Sequence, residues 1–118
     1  MKHRNVLIIE DNAAVVTTMK SLLELEGYKV YTANNGQEGI EILGIVPNMS
    51  VILLDMMMPV MNGWDFLEFQ RAQSAYSKIP VVVVSAYGET AKTVKPDAII
   101  HKPVKLDLLL STVHKYCA

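Results

Sequence analysis

Short apolar runs alternate along this chain with longer segments in which apolar residues recur every three or four positions. Residues 6–9, 51–54 and 81–84 are continuous apolar runs, as found in strands that are buried on both faces of a sheet. Residues 28–32 alternate and are rich in β-forming side chains, and residues 98–101 form one more short apolar segment. The pattern therefore predicts five strands.

Helices are predicted between these strands, and several of them have recognisable ends. Asn12 can cap a first helix, and Gly27 is a natural stop for it. Asn35 and Glu38, three residues apart, resemble a capping box at the start of a second helix. The second helix is predicted to run to about Leu43.

The second half of the chain predicts three more helices. One begins at Asn62 or Gly63, and its predicted buried face consists of Phe66, Leu67, Phe69 and Ala72. The polar residues 88–95 predict a short fourth helix of about two turns, which Pro96 would end. The last helix carries its apolar face on Leu106, Leu109, Leu110, Val113 and Tyr116.

Strands that alternate with helices over the whole length are typical of βαβ units. They predict an α/β fold with a doubly wound, open parallel sheet and helices on both of its faces. No repeat, low-complexity segment or linker interrupts the pattern. Residues 1–118 are therefore predicted to form a single domain.

Polar side chains that can bind a ligand or take part in a reaction follow the carboxyl ends of four predicted strands. In chain order they are Glu10, Asp11, Asp55, Ser85 and Lys102. Because the carboxyl ends of parallel strands share one edge of a sheet, three carboxylates, a hydroxyl and an ammonium are expected to converge there.

This combination of groups favours phosphoryl chemistry. Three crowded carboxylates repel one another unless a cation joins them, and hard oxygen ligands suit Mg²⁺. A lysine and a serine hydroxyl are what the remaining oxygens of a transferred phosphoryl group would need. The residues therefore predict a Mg²⁺-assisted site in which Asp55 is the nucleophile and forms an acyl phosphate.

The spacing of these residues resembles that of a known family, the receiver domains of two-component response regulators. The pattern consists of Glu10-Asp11, Asp55 with Pro59 and Gly63, Ser85-Ala86 and Lys102-Pro103. The resemblance covers the whole chain. It implies a flavodoxin-like fold with strand order 2-1-3-4-5. It also implies a phosphorelay function in which a histidine kinase or a phosphotransfer protein supplies the phosphoryl group.

The resemblance implies a metal site around the phospho-acceptor, which would be Asp55. Asp11 would be the more direct Mg²⁺ ligand, and Glu10 would act largely through water. The backbone carbonyl of Met57 would complete the protein's share of the metal shell.

The resemblance further implies how the phosphoryl oxygens are bound. Ser85 would hydrogen-bond one of them, and Lys102 would pair with another. The Lys102–Pro103 peptide bond is expected to be cis. Tyr87 would either shield the acyl phosphate from water or be an ordinary surface aromatic residue.

Two features depart from the family's pattern. Ile99 occupies the position, three residues before the lysine, where receivers usually carry Phe or Tyr as the aromatic part of their switch. Only 17 positions separate Ser85 from Lys102, fewer than the family usually has, so the fourth helix is expected to be shortened. Both departures fall on the face that usually reports phosphorylation to partners.

Two other functions compete with phosphorylation-dependent switching. A receiver-like interaction module with weak or no switching would agree with Ile99 and a short fourth helix. A small aspartate-nucleophile phosphatase is less favoured, because such enzymes typically need a second Asp two residues after the nucleophile, where this chain has Met57. The expected protein is a signalling domain whose only reactions are phosphoryl transfer to itself and autodephosphorylation.

Composition limits the surroundings in which such a domain would work. The net charge is -1 and the basic residues are not clustered, which argues against direct nucleic-acid binding. The single Cys117 cannot form an internal disulfide and is typical of a reducing compartment. No signal peptide or membrane-length apolar run is visible, so a cytoplasmic location is expected.

Overall fold

A computed structural model describes residues 4–56, 60–85 and 95–117 of the protein. Its five strands are β1 (Asn5–Ile9), β2 (Lys29–Ala33), β3 (Met49–Asp55), β4 (Val81–Ser85) and β5 (Ala98–His101). They form one sheet in the order β2-β1-β3-β4-β5, and every pair of neighbours is parallel. This confirms the predicted fold class and strand order.

Four helices cover the two faces of this sheet in the described part of the chain. They are α1 (Ala13–Leu25), α2 (Gly36–Ile45), α3 (Gly63–Ala72) and α4 (Leu106–Cys117). Helices α1 and α4 pack on one face with side chains such as Ile8 and Leu53, and α2 and α3 pack on the other with Ile9 and Leu54. Successive residues of a strand point to opposite faces of the sheet and so pack into two separate cores. Because both faces are buried, these strands are continuously apolar.

The helix starts agree with the capping residues predicted from the sequence. Asn12, Asn35 and Asn62 each accept a backbone hydrogen bond through Oδ1, from Val15, Glu38 and Asp65 at 3.1, 3.0 and 2.9 Å. The reciprocal bond of the capping box differs, because Glu38 Oε1 accepts from the backbone N–H of Asn34 (3.0 Å). The carboxylate therefore stabilises the turn that precedes α2.

The buried face of α3 differs from the prediction. Phe66 and Leu67 are buried as expected, but Phe69 is only half-buried and Ala72 is exposed. Gln70 is fully buried instead, because its Nε2 donates to the backbone carbonyls of Tyr76 and Ile79 in the following loop. A buried amide is tolerated where it satisfies loop carbonyls in this way.

Most of the predicted fourth helix, residues 88–95, lies outside the described residues. Residue 95 and the two residues after it are described and are not helical. The Lys102–Pro103 peptide bond is cis, as expected. Among the described helices, none combines the length and the apolar character that a membrane crossing requires.

Candidate functional site

The polar residues predicted to converge lie along one edge of the sheet. Glu10 directly follows β1, Asp55 ends β3, Ser85 ends β4 and Lys102 directly follows β5. The strands end at similar heights because the parallel register pairs Ile9 with Leu54, Asp55 with Val84 and Ser85 with His101. This is the edge at which open α/β sheets bind their ligands.

Three carboxylates form a compact cluster at this edge. One oxygen from each of Glu10, Asp11 and Asp55 can be chosen so that all three lie within 4.8 Å of one another. Glu10 and Asp55 are 2% and 4% exposed, whereas Asp11 faces solvent. Buried carboxylates at this spacing need a compensating positive charge.

Lys102 supplies one such charge. Its Nζ lies 3.2 Å from Glu10 Oε1 and 3.3 Å from Asp55 Oδ1. The lysine is held at the edge by its backbone N–H, which donates to the carbonyl of Ser85 at 2.7 Å. Burial alone would lower the pKa of Lys102, but the carboxylates of Asp55 and Glu10 outweigh it and raise the pKa above its ordinary value.

Burial has the largest effect on Glu10 and raises the pKa of its carboxyl to about 7. The backbone N–H of Asn12, which donates to Glu10 Oε2 at 3.1 Å, opposes this shift. The nearby Asp55 carboxylate adds to the shift, and Lys102 reduces it. Near neutral pH the metal-free cluster therefore carries less than its full negative charge. The sequence did not predict the hydrogen bond from the Asn12 backbone to Glu10, because the Asn12 side chain indicated only a helix cap.

Ser85 lies at the same edge, but its hydroxyl makes no hydrogen bond to the carboxylates. Its side chain is 1% exposed, and its Oγ has no hydrogen-bond partner among the described residues. A buried hydroxyl without a partner costs free energy, and it needs an explanation such as a ligand that it will bind. Two further predicted participants, the Met57 carbonyl and Tyr87, lie outside the described residues.

The chain is similar in sequence to known receiver domains and to regulators that contain one. The sequence model for the response regulator receiver domain matches residues 6–114. The cell cycle transcriptional regulator CtrA of Caulobacter vibrioides is 34% identical over 114 residues, which are 92% of this chain and 48% of that protein. The chain thus spans about half the length of the curated relatives it matches.

Solved structures agree with the sequence relatives. A CheY-like response regulator receiver domain protein from Methanospirillum hungatei is 28% identical, with a TM-score of 0.86 over 96% of this chain and 93% of that one. A signal receiver domain of a histidine kinase from Syntrophus aciditrophicus is 26% identical, with a TM-score of 0.89 over 96% and 89%. The cluster of Glu10, Asp11 and Asp55 matches the phospho-accepting site of such domains. The chain therefore belongs to the response regulator receiver domain family of two-component systems.

Proposed function

We propose that Asp55 accepts a phosphoryl group from a phosphohistidine of a histidine kinase or a phosphotransfer protein. The observation that carries this proposal is the position of Asp55, which lies buried between two other carboxylates and the ammonium of Lys102. Residues 1–118 would act together as one receiver domain. An interaction module that never carries a phosphoryl group would have no use for this costly arrangement of buried charge, so it is not favoured.

The carboxylate cluster suits Mg²⁺. Its donors are all oxygens, and Mg²⁺ binds to one or two carboxylates while it keeps several waters and takes up phosphate oxygens. Asp11 and Asp55 would be direct ligands, Glu10 would act largely through water, and the Met57 carbonyl would complete the set. The ion would supply positive charge to the phosphoryl oxygens as negative charge shifts during transfer.

The transfer needs only groups that lie at this edge. A carboxylate oxygen of Asp55 attacks phosphorus, the bond between phosphorus and the donor's imidazole nitrogen breaks, and that nitrogen keeps the bonding pair. Lys102 then pairs with one phosphoryl oxygen, and the Ser85 hydroxyl donates to another. In autodephosphorylation water attacks phosphorus, the bond from phosphorus to the Asp55 oxygen breaks, and inorganic phosphate leaves while the carboxylate is restored.

Phosphorylation by a small-molecule donor tests this function without a partner protein. With acetyl phosphate and Mg²⁺, the protein should gain one phosphoryl group that hydroxylamine removes, as expected of an acyl phosphate. Asp55→Asn should abolish labelling. Asp65→Asn is the matched control because Asp65 is an exposed aspartate in the first turn of α3, and it should label normally. Labelling of Asp55→Asn at the wild-type rate would disprove the assignment.

A further inference from the structure

Helix α3 begins in direct contact with the backbone of the predicted phospho-acceptor. Gly63, its first residue, is buried, and its N–H donates to the carbonyl of Met56 at 3.1 Å. A Cβ atom built on Gly63 would lie 2.5 Å from Met56 Sδ, 2.7 Å from the carbonyl oxygen of Asp55 and 2.7 Å from Met56 Cα. Real Cβ atoms essentially never show distances this short, and the two backbone atoms cannot turn aside as a side chain can. Only glycine therefore allows α3 to start at this point.

The other glycines in the described part of the chain do not have this relationship to the site. A Cβ on Gly39 would meet only side chains, namely Ile9 Cδ1 at 2.5 Å and Phe66 atoms from 3.2 Å. The tip of an isoleucine can rotate or shift, whereas a backbone carbonyl moves only with its strand. A Cβ on Gly44 would meet Tyr76 Oη at 3.8 Å, which is an ordinary contact. Gly39 and Gly44 thus provide matched controls.

A methyl group at position 63 would strain the contact between the first turn of α3 and the Asp55–Met56 backbone. The helix is fixed by Phe66, Leu67 and Gln70, all of them fully buried, so it has little freedom to retreat from the strand. The strain would fall on the peptide that joins Asp55 to Met56. To relieve this strain, Asp55 would have to shift by several tenths of an ångström. The carboxylate of Asp55 is the group that must contact both the cation and the phosphorus atom.

We propose that Gly63 is a positioning residue for Asp55. By letting α3 rest directly on the Asp55–Met56 backbone, it sets where the Asp55 carboxylate lies relative to Glu10 and Lys102. Gly63 acts through Asp55 and does not itself touch the phosphoryl group. The proposal rests on the function proposed above for Asp55, and it adds the residue that fixes the geometry of that function.

Mg²⁺ affinity, measured by isothermal titration calorimetry on the folded protein, tests the proposal without phosphoryl transfer. Gly63→Ala should weaken Mg²⁺ binding and slow labelling by acetyl phosphate by about tenfold or more, since small misplacements of reacting groups have effects of this size. Gly39→Ala should lose stability through overpacking but should keep both properties within about twofold of wild type. Gly44→Ala should leave both unchanged. Mg²⁺ binding and labelling by Gly63→Ala within about twofold of wild type would overturn the proposal.

A second pair of variants decides the question if Gly63→Ala does not fold. Asn62→Ala removes the cap that seats the first turn of α3, and Asn35→Ala removes the equivalent cap of α2. The two variants should lose similar amounts of stability, because each loses one cap hydrogen bond. Only Asn62→Ala should weaken Mg²⁺ binding, by about threefold, because a small displacement has a moderate effect. Equal Mg²⁺ affinities of the two variants would overturn the proposal.

The experiment separates this proposal from the one on which it rests. If wild-type protein is not labelled by acetyl phosphate, the phospho-acceptor function fails, whatever Gly63→Ala does. If wild type is labelled and Gly63→Ala is labelled equally well, the function stands and the positioning role fails.

Discussion

The Nζ atom of Lys102 lies 3.3 Å from Asp55 Oδ1, although 47 positions separate the two residues in the chain. The same nitrogen is 3.2 Å from Glu10 Oε1. Three sheet strands are therefore joined at their carboxyl ends by one ammonium group. In the metal-free protein this lysine is a positive charge in contact with the two buried carboxylates.

Removal of this charge should destabilise the protein when no metal is present. For Lys102→Ala, we expect the free energy of unfolding near neutral pH to fall by about 2 kcal/mol, because two buried carboxylates lose their ion-pair partner. Saturating Mg²⁺ should recover part of the loss, since it supplies positive charge to the same oxygens. Urea denaturation with and without Mg²⁺ measures both effects. Lys105→Ala is the control, because Lys105 is exposed, and an equal loss there would contradict this account.

Glu10 should make the metal-free protein less stable as the pH rises. Its pKa is about 7 in the folded protein against 4.5 in the absence of the fold, chiefly because the carboxyl is buried. Between these values the folded state binds more protons than the unfolded state, so the free energy of unfolding falls as the pH rises. This contribution is complete below the unfolded pKa and is lost as the pH passes the folded pKa.

Glu10→Gln should therefore flatten the pH profile. We expect the variant to avoid a loss on the order of 2 kcal/mol that the wild type suffers between about pH 4.5 and about pH 7. Urea denaturation across this range, in the presence of a chelator, provides the measurement. Glu41→Gln, at an exposed position of α2, should keep the wild-type slope. The prediction is wrong if Glu10→Gln and wild type show parallel profiles.

The sequence was sufficient to predict the sheet and the edge at which the site lies. Continuous apolar runs such as residues 81–84 identify strands buried on both faces, and the charges that follow those runs must lie at the carboxyl edge. Asp55 and Lys102 could thus be placed together before any distance was known. The resemblance to receivers supplied the strand order, which periodicity alone does not determine.

Features that depend on contacts between distant loops could not be predicted. Gln70 is polar and lies at a position that gives no signal of burial, yet it is buried because two carbonyls of the next loop need a donor. The tight contact of Gly63 with the Asp55 backbone has no trace in the sequence beyond the glycine itself. Whether the Ser85 hydroxyl would hydrogen-bond a carboxylate also depended on side-chain orientation, and in the structure it makes no such bond.

Asp97 should stabilise the fold above its pKa and lose that effect in acid. Its Oδ2 accepts from Arg71 Nη2 at 2.7 Å and from the backbone N–H of Val81 at 2.8 Å, which links α3 and β4 to the start of β5. Burial alone would raise the pKa of this carboxyl, but the hydrogen bonds from Arg71 and Val81 outweigh it and lower the pKa below 3.8. The stabilisation is present above the unfolded pKa and disappears as the pH falls through the folded one.

Asp97→Asn tests this link. At neutral pH the variant should lose about 1 to 2 kcal/mol of unfolding free energy, because a charged acceptor of two hydrogen bonds is replaced by a neutral one. The difference from wild type should shrink as the pH falls through the lowered pKa of Asp97, because the wild-type carboxylate then takes up a proton. Urea denaturation at neutral pH and at a series of acidic pH values measures both effects. Asp107→Asn, at an exposed position of α4, should show neither effect, and a difference that stays constant in acid would refute the role of the charge.

Val60 is held in a backbone conformation that its side chain disfavours. Its φ is 68°, and the residue is 83% exposed, so no packing of the side chain offsets the cost. Asn48 has a similar φ of 61°, but asparagine tolerates this region far better than a β-branched residue does.

Val60→Asn should therefore raise the free energy of unfolding by about 1 kcal/mol, and Asn48→Val should lower it by a similar amount. Urea denaturation of the two variants provides the comparison. Mg²⁺ affinity should stay at the wild-type value in Val60→Asn, because the strain is relieved at the surface and not at Asp55. If Val60→Asn gained no stability, the free-energy cost of this turn would be set by the tertiary structure and not by the residue type.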